Sequence, residues 1–260
     1  MSTPEADNEL RMTIIEHLLE LRDRLVKASI ALVVGIFVGV FFARRFLELL
    51  LLPLGQAGKV QSLRPAENIL VFFRVALILG AVLAMPVIFY QLMAFIAPGL
   101  TKEEKRALMY VVPAATLLFA LGVGFGAFVM LPFTLGYLQS FLADLIEPNY
   151  SIDYYIGFVT NFTLAIGAAF ETPVAIGFLA RLGFLSPQTL LKAWRYAIVI
   201  VAILAAIITP TPDPFNMMLV MTPLLLLYGV SIGVARVVYR PRPDFSASEE
   251  TTTTSVPQRA

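Results

Sequence analysis

Six apolar segments dominate the chain, at about residues 26–51, 75–96, 107–131, 156–182, 196–208 and 215–238. A run of roughly 20 apolar residues is the length at which an α-helix crosses the hydrocarbon core of a bilayer. Inside that core each backbone N–H and C=O needs a partner within the protein, and a helix supplies them from its own segment. The pattern predicts an all-α, polytopic membrane protein of six transmembrane helices. Composition agrees: 58% of residues are hydrophobic, 14% are charged and the mean hydropathy is +0.82, too little polarity to cover a soluble surface. The segment 196–208 is short for a span, so the fifth helix is expected to rely on a locally thinned bilayer or on longer neighbours. Thr209-Pro210-Thr211-Pro212-Asp213-Pro214 cannot continue it, and a tight turn is expected before the sixth helix.

An even number of spans puts both termini on one side, and Lys and Arg mark that side as the cytoplasm. Fourteen of the 19 basic residues lie in the N-terminal segment, the second and fourth connections and the tail, leaving Arg44, Arg45, Lys59, Arg64 and Arg74 opposite. One domain is expected over 1–245, opened by an interfacial amphipathic stretch at about 13–25. The tail 246–260, rich in Ser, Thr and Glu, has too few apolar groups to pack and is expected to be disordered. The polar, acidic stretch 1–13 does not read as a cleaved signal peptide. With no Cys there is no thiol nucleophile, and a net charge of +1 gathered at the ends of apolar runs argues against a nucleic-acid partner. No internal repeat of useful length is visible.

Three polar constellations interrupt this pattern. Glu171 lies within 156–182, where an ionisable group costs roughly 2.5–3.5 kcal/mol at a helix centre. Its plain structural reading is a protonated carboxyl bonding a backbone carbonyl freed by Pro173, which has no N–H to donate. The N-terminal helix opens with a capping box, Thr13 to Glu16, and sets Ile14, Leu18, Leu21 and Leu25 along one stripe and Glu16, Glu20, Arg24 and Lys27 along another. A surface helix with a Glu20–Arg24 pair explains that stripe without function. The second cytoplasmic connection ends one helix at Pro98-Gly99 and starts the next with a capping box, Thr101 to Glu104. Capping alone would account for Glu104. Glu20 and Glu104 nevertheless share the cytoplasmic interface, and two carboxylates there suit a guanidinium, whose planar fork pairs with carboxylate in bidentate fashion.

Three segments, His17-Leu18-Leu19-Glu20-Leu21-Arg22-Asp23-Arg24-Leu25, Pro86 to Leu100 and Phe170-Glu171-Thr172-Pro173-Val174-Ala175, resemble the signature segments of the TatC family, the multi-spanning core of the twin-arginine protein translocase. The likeness runs in order from about residue 12 to 240. It implies a concave, glove-like bundle of six helices in the cytoplasmic (inner) membrane, acting as receptor for signal peptides with paired arginines. Such a protein exports folded cargo with the proton-motive force, beside single-span TatA-type and TatB-type subunits, and self-associates among membrane lipid. It implies no cofactor and no enzyme activity. By the same resemblance the signal-peptide-binding carboxylates fall on Glu20 and Glu104, with Arg22 and Phe95 adjoining them. Pro53 matches a sensitive proline of the first outer loop, Glu171 the intramembrane Glu of helix four, and Asp213 the acidic residue of the last outer turn. The chain departs from the pattern at Gly229, where many members have Glu, and at Met217, where some have Gln. Thr209, Thr211 and Asn216 are then the polar groups left to contact partner helices.

Two other classes fit less well. A small secondary transporter or proton channel would use Glu171, but several intramembrane ionisable groups, broken helices or repeats would be expected with it. An intramembrane hydrolase or metalloprotease needs a Ser–His pair or clustered ligands, and the chain has one histidine, His17.

Overall fold

The computed structural model describes residues 14–54, 59–145, 149–209, 211 and 213–241. Thr13 of the first capping box and the tail 246–260 lie outside the described residues. The first helix, α1 (Ile14–Leu51), is a single rod of 38 residues. At 1.5 Å per residue it is about 57 Å long, well beyond the roughly 30 Å of hydrocarbon. The amphipathic start and the spanning part are thus one helix, closed by a tight 3₁₀ turn at Leu52–Leu54 that holds Pro53.

The chain returns as α2 (Glu67–Ile96) and packs along α1 over much of its length. Small residues make this possible. Gly35 and Gly39 stand four apart on α1 and meet Gly80 and Ala76 of α2 backbone to backbone. A Cβ at Gly80 would lie 2.5 Å from the backbone nitrogen of Ile36. Next come α3 (Lys102–Phe125), one π-helical turn at Gly126–Met130 and α4 (Leu131–Ser140), which together form one apolar stretch. The remaining helices are α5 (Ile152–Ala169), α6 (Thr172–Arg181), the short α7 (Pro187–Lys192), α8 (Trp194–Ile208) and α9 (Pro214–Val238). Among the described residues, five helical stretches are long and apolar enough to cross a membrane, and α8, with 15 residues, is the short one the sequence led us to expect.

Two features depart from a purely helical reading. First, β1 (Lys59–Gln61) pairs in parallel with β2 (Asn149–Ser151), joining the loop after α1 to the loop after α4. Glu67 at the start of α2 locks this junction: its Oε2 accepts from the N–H groups of Leu63 (2.6 Å) and Arg64 (3.0 Å), and its Oε1 from the Ser151 hydroxyl and the Asp153 N–H. Asp153 in turn takes Arg64 at 3.0 Å and Arg74 at 2.7 Å. Secondly, the apolar segment 156–182 is two helices, broken at Phe170–Glu171.

Packing is uneven along the bundle. The main buried cluster, including Leu50, Val71, Leu131, Tyr155, Ile156, Phe162 and Val220, lies toward the β junction, where the Tyr155 hydroxyl donates to the Leu50 carbonyl at 2.8 Å. At the opposite end two small clusters replace it, one around Ala180 and Ile232, the other around Leu108 and Phe178. Large side chains such as Phe41 (84% exposed) and Ile207 (75%) point outward from the long helices. Lipid is the medium in which such an exterior is stable.

Candidate functional site

The antiparallel packing of α1 on α2 sets His17 and Arg24, two turns apart on α1, against Phe95 and Gln91 on one turn of α2. The rings of His17 and Phe95 stack with centroids 4.4 Å apart and planes inclined by 17°. Arg24 donates to the Gln91 side-chain oxygen at 3.4 Å and to Oε1 of Glu20 at 3.1 Å. The other carboxylate oxygen of Glu20 is buried and has no hydrogen-bond partner among the described residues. A carboxylate with one oxygen in an ion pair and the other dry and unbonded is a poor resting arrangement, because an unsatisfied buried acceptor costs about 1–3 kcal/mol. It suits a site that gains a donor from elsewhere.

Glu104 completes the capping box expected of it: its Oε2 accepts from the Thr101 N–H at 2.7 Å and hydroxyl at 2.9 Å, while Thr101 caps the Glu104 N–H. No hydrogen bond or ion pair among the described residues joins Glu104 to Glu20. Both stand at the end of the bundle where α1 begins, α2 ends and α3 begins. Arg22 points away and pairs with Asp23 at 2.9 Å on an exposed surface. Gln91 was not singled out by sequence reasoning. Its spacing of four from Phe95, on the face of α2 that meets α1, was the available signal.

Glu171 occupies the break between α5 and α6. The plain structural reading assigned it the carbonyl that Pro173 leaves free, which is that of Ala169 four residues earlier. Thr172 takes that carbonyl instead, its hydroxyl donating at 2.7 Å. Oε1 of Glu171 is buried without a hydrogen-bond partner among the described residues. The adjoining Phe170 packs on Phe125 and against Gly122 of α3, where an added Cβ would come within 2.7 Å of it.

The last turn before α9 is organised by Asp213. Its Oδ1 accepts the Asn216 N–H at 2.9 Å as helix cap, and its Oδ2 accepts from the Thr211 hydroxyl and from the Asn216 side-chain amide at 2.9 Å. The Thr211 hydroxyl and then the Asn216 N–H hold this carboxyl below the usual aspartate range. Asn216 is fully buried and Thr209 nearly so. Of the three residues expected to contact partner helices, Thr209 and Asn216 are turned into the chain, and Thr211 and Asn216 hydrogen-bond to Asp213. Gly229, by contrast, faces open space. Pro53 and Leu50 border a cavity of about 220 Å³ beside the π-helical turn, with Ala127, Leu131 and Pro132 opposite.

Residues 16–223 match the family described as Sec-independent protein translocase protein (TatC). The chain belongs to the TatC family. Among curated relatives, TatC of Deinococcus radiodurans is 39% identical over 231 residues, covering 86% of each chain. TatC of Carboxydothermus hydrogenoformans is 36% identical over 87% of this chain and 94% of its own length. TatCy of Bacillus subtilis is 34% identical over 92% of this chain and 94% of its own. A crystal structure of the twin arginine translocase receptor TatC superposes with a TM-score of 0.77 at 36% identity, over 86% of this chain and all of that one. A second, in the detergent DDM, gives 0.78 at 37% identity, over 85% and 99%. The resemblance read from the sequence is thereby confirmed. The chain is a multi-pass membrane protein of the Sec-independent protein translocase, a transport component of the TatC kind.

Proposed function

We propose that this TatC-family chain is the receptor of the translocase for signal peptides bearing paired arginines. It spans the cytoplasmic membrane six times with both termini in the cytoplasm, α8 being the short fifth span. Glu20 and Glu104 together form the binding site, with Phe95 and Arg22 beside them. The observation that carries this reading is the buried, unbonded oxygen of Glu20 next to its pair with Arg24. An incoming guanidinium can donate to that oxygen, while Glu104 keeps a second oxygen outside its capping bonds for the other arginine. The apolar part of the signal then follows the bundle inward toward Glu171. TatA-type and TatB-type helices would lie on the lipid-facing side of α9, where Phe215 and Met218 are exposed beside the last outer turn and Gly229, about four turns further along the helix, leaves room. Folded cargo leaves when these subunits assemble with further copies of the chain, driven by the proton-motive force. The domain remains one unit over 1–245.

Photo-crosslinkers at Phe95 and Glu104, with a labelled paired-arginine precursor in inverted membrane vesicles, test the assignment. Adducts are expected with the arginine precursor and lost with a Lys-Lys version. Equal adducts from both would refute recognition at this face. A small proton-coupled transporter is the second reading, favoured by the broken helix at Glu171, and predicts solute-dependent proton flux by the purified chain alone.

A further inference from the structure

We propose that a groove between α3, α6 and α9 holds an anionic phospholipid, bound by its phosphate to Arg106 and Arg181. The groove is a cavity of about 420 Å³. Arg106 lies in the first turns of α3 and Arg181 in the last turn of α6, so both stand at one mouth. Among the described residues neither arginine has a carboxylate partner. Below the mouth the lining is apolar: Ala114, eight residues and about 12 Å further along α3, faces Val174, Phe178 and Val234. The groove floor is firm, because α6 meets α9 closely at Gly177, where a Cβ would come within 2.7 Å of Val234.

Charge decides the occupant. Two guanidiniums without a carboxylate partner among the described residues, above an apolar slot, match a negatively charged headgroup with an acyl chain beneath it, and basic pockets between helices on the cytoplasmic side bind such lipids. A partner helix would have to bring two acidic groups to the same mouth. The groove shares no residue with the Glu20 and Glu104 site, so the two readings fail independently.

Native mass spectrometry of the full chain in detergent, with added phosphatidylglycerol or phosphatidylcholine, tests the proposal. Phosphatidylglycerol should be retained in preference, with affinity falling roughly fivefold for each of Arg106→Gln and Arg181→Gln, the factor equivalent to about 1 kcal/mol per basic residue. Arg236→Gln, outside the groove, should change nothing. Ala114→Phe keeps both arginines but fills the slot, and it should also lower retention, whereas inorganic phosphate should not displace the lipid. Equal retention of both lipids, or an Ala114→Phe variant that binds normally, would overturn the proposal, as would protection of the arginines by a partner helix and not by lipid.

Discussion

At the scale of single residues, the three acidic groups Glu20, Glu104 and Glu171 differ in what already satisfies them. One oxygen of Glu104 is spent on its cap, which Gln also completes. Glu104→Gln should therefore leave thermal stability within about 0.5 kcal/mol while weakening precursor binding, because the amide loses the charge that a guanidinium pairs with. Full binding by Gln together with loss by Ala would reduce Glu104 to a capping role. Glu171 has a buried oxygen with no hydrogen-bond partner among the described residues and lies a helix away from the interface. Glu171→Ala should leave precursor binding within about twofold but reduce transport; Glu171→Gln retains the shape and hydrogen-bonding capacity but cannot release a proton. Near-normal transport by the Gln variant under a pure pH gradient would leave Glu171 a helix-contact residue. These residues were legible because charge is rare in such a chain. Their partners were not: that Thr172, and not Glu171, takes the Ala169 carbonyl depends on rotamers that spacing does not determine.

At the scale of elements, the turn before α9 and the α1–α2 contact carry the clearest consequences. The Asp213 carboxyl is held below its usual range, so its stabilising contribution is complete above pH about 4 and is lost as pH falls through the depressed value. Asp213→Ala should lower stability by about 1 kcal/mol at neutral pH, and the gap should close in acid. A gap unchanged between pH 7 and pH 3 would show that the charge is not involved. Gly80 meets the backbone of α1, so Gly80→Leu should disrupt the hairpin, whereas Gly229→Leu, in open space, should fold normally by thermal scanning. Helix positions and the brevity of α8 followed from apolar run lengths. The break at Phe170 did not follow from run length, Pro173 being the available signal for it, nor did the β junction, where Glu67 holds Ser151, 84 residues later in sequence.

At the scale of the whole molecule, buried packing is concentrated at the β junction, and the end that carries Glu20, Glu104, Arg106 and Arg181 is split by grooves. That division suits a protein that holds one end fixed and presents the other to a ligand. The orientation makes its own prediction: cysteines replacing Lys59 and Asn149 should react with an impermeant maleimide added outside intact cells, and those replacing Lys102 and Lys192 should not. Reaction at 102 would place the acidic site on the wrong side of the membrane.

The most direct measurement is the affinity of a fluorescent signal peptide for the full chain in lipid nanodiscs, compared for Arg-Arg and Lys-Lys peptides and for Glu20→Gln. The arginine pair should bind at least tenfold more tightly to the natural chain, and Glu20→Gln should abolish most of that preference by removing the charge beside the unbonded oxygen. An undiminished preference in Glu20→Gln would contradict the proposal that this carboxylate reads the arginines.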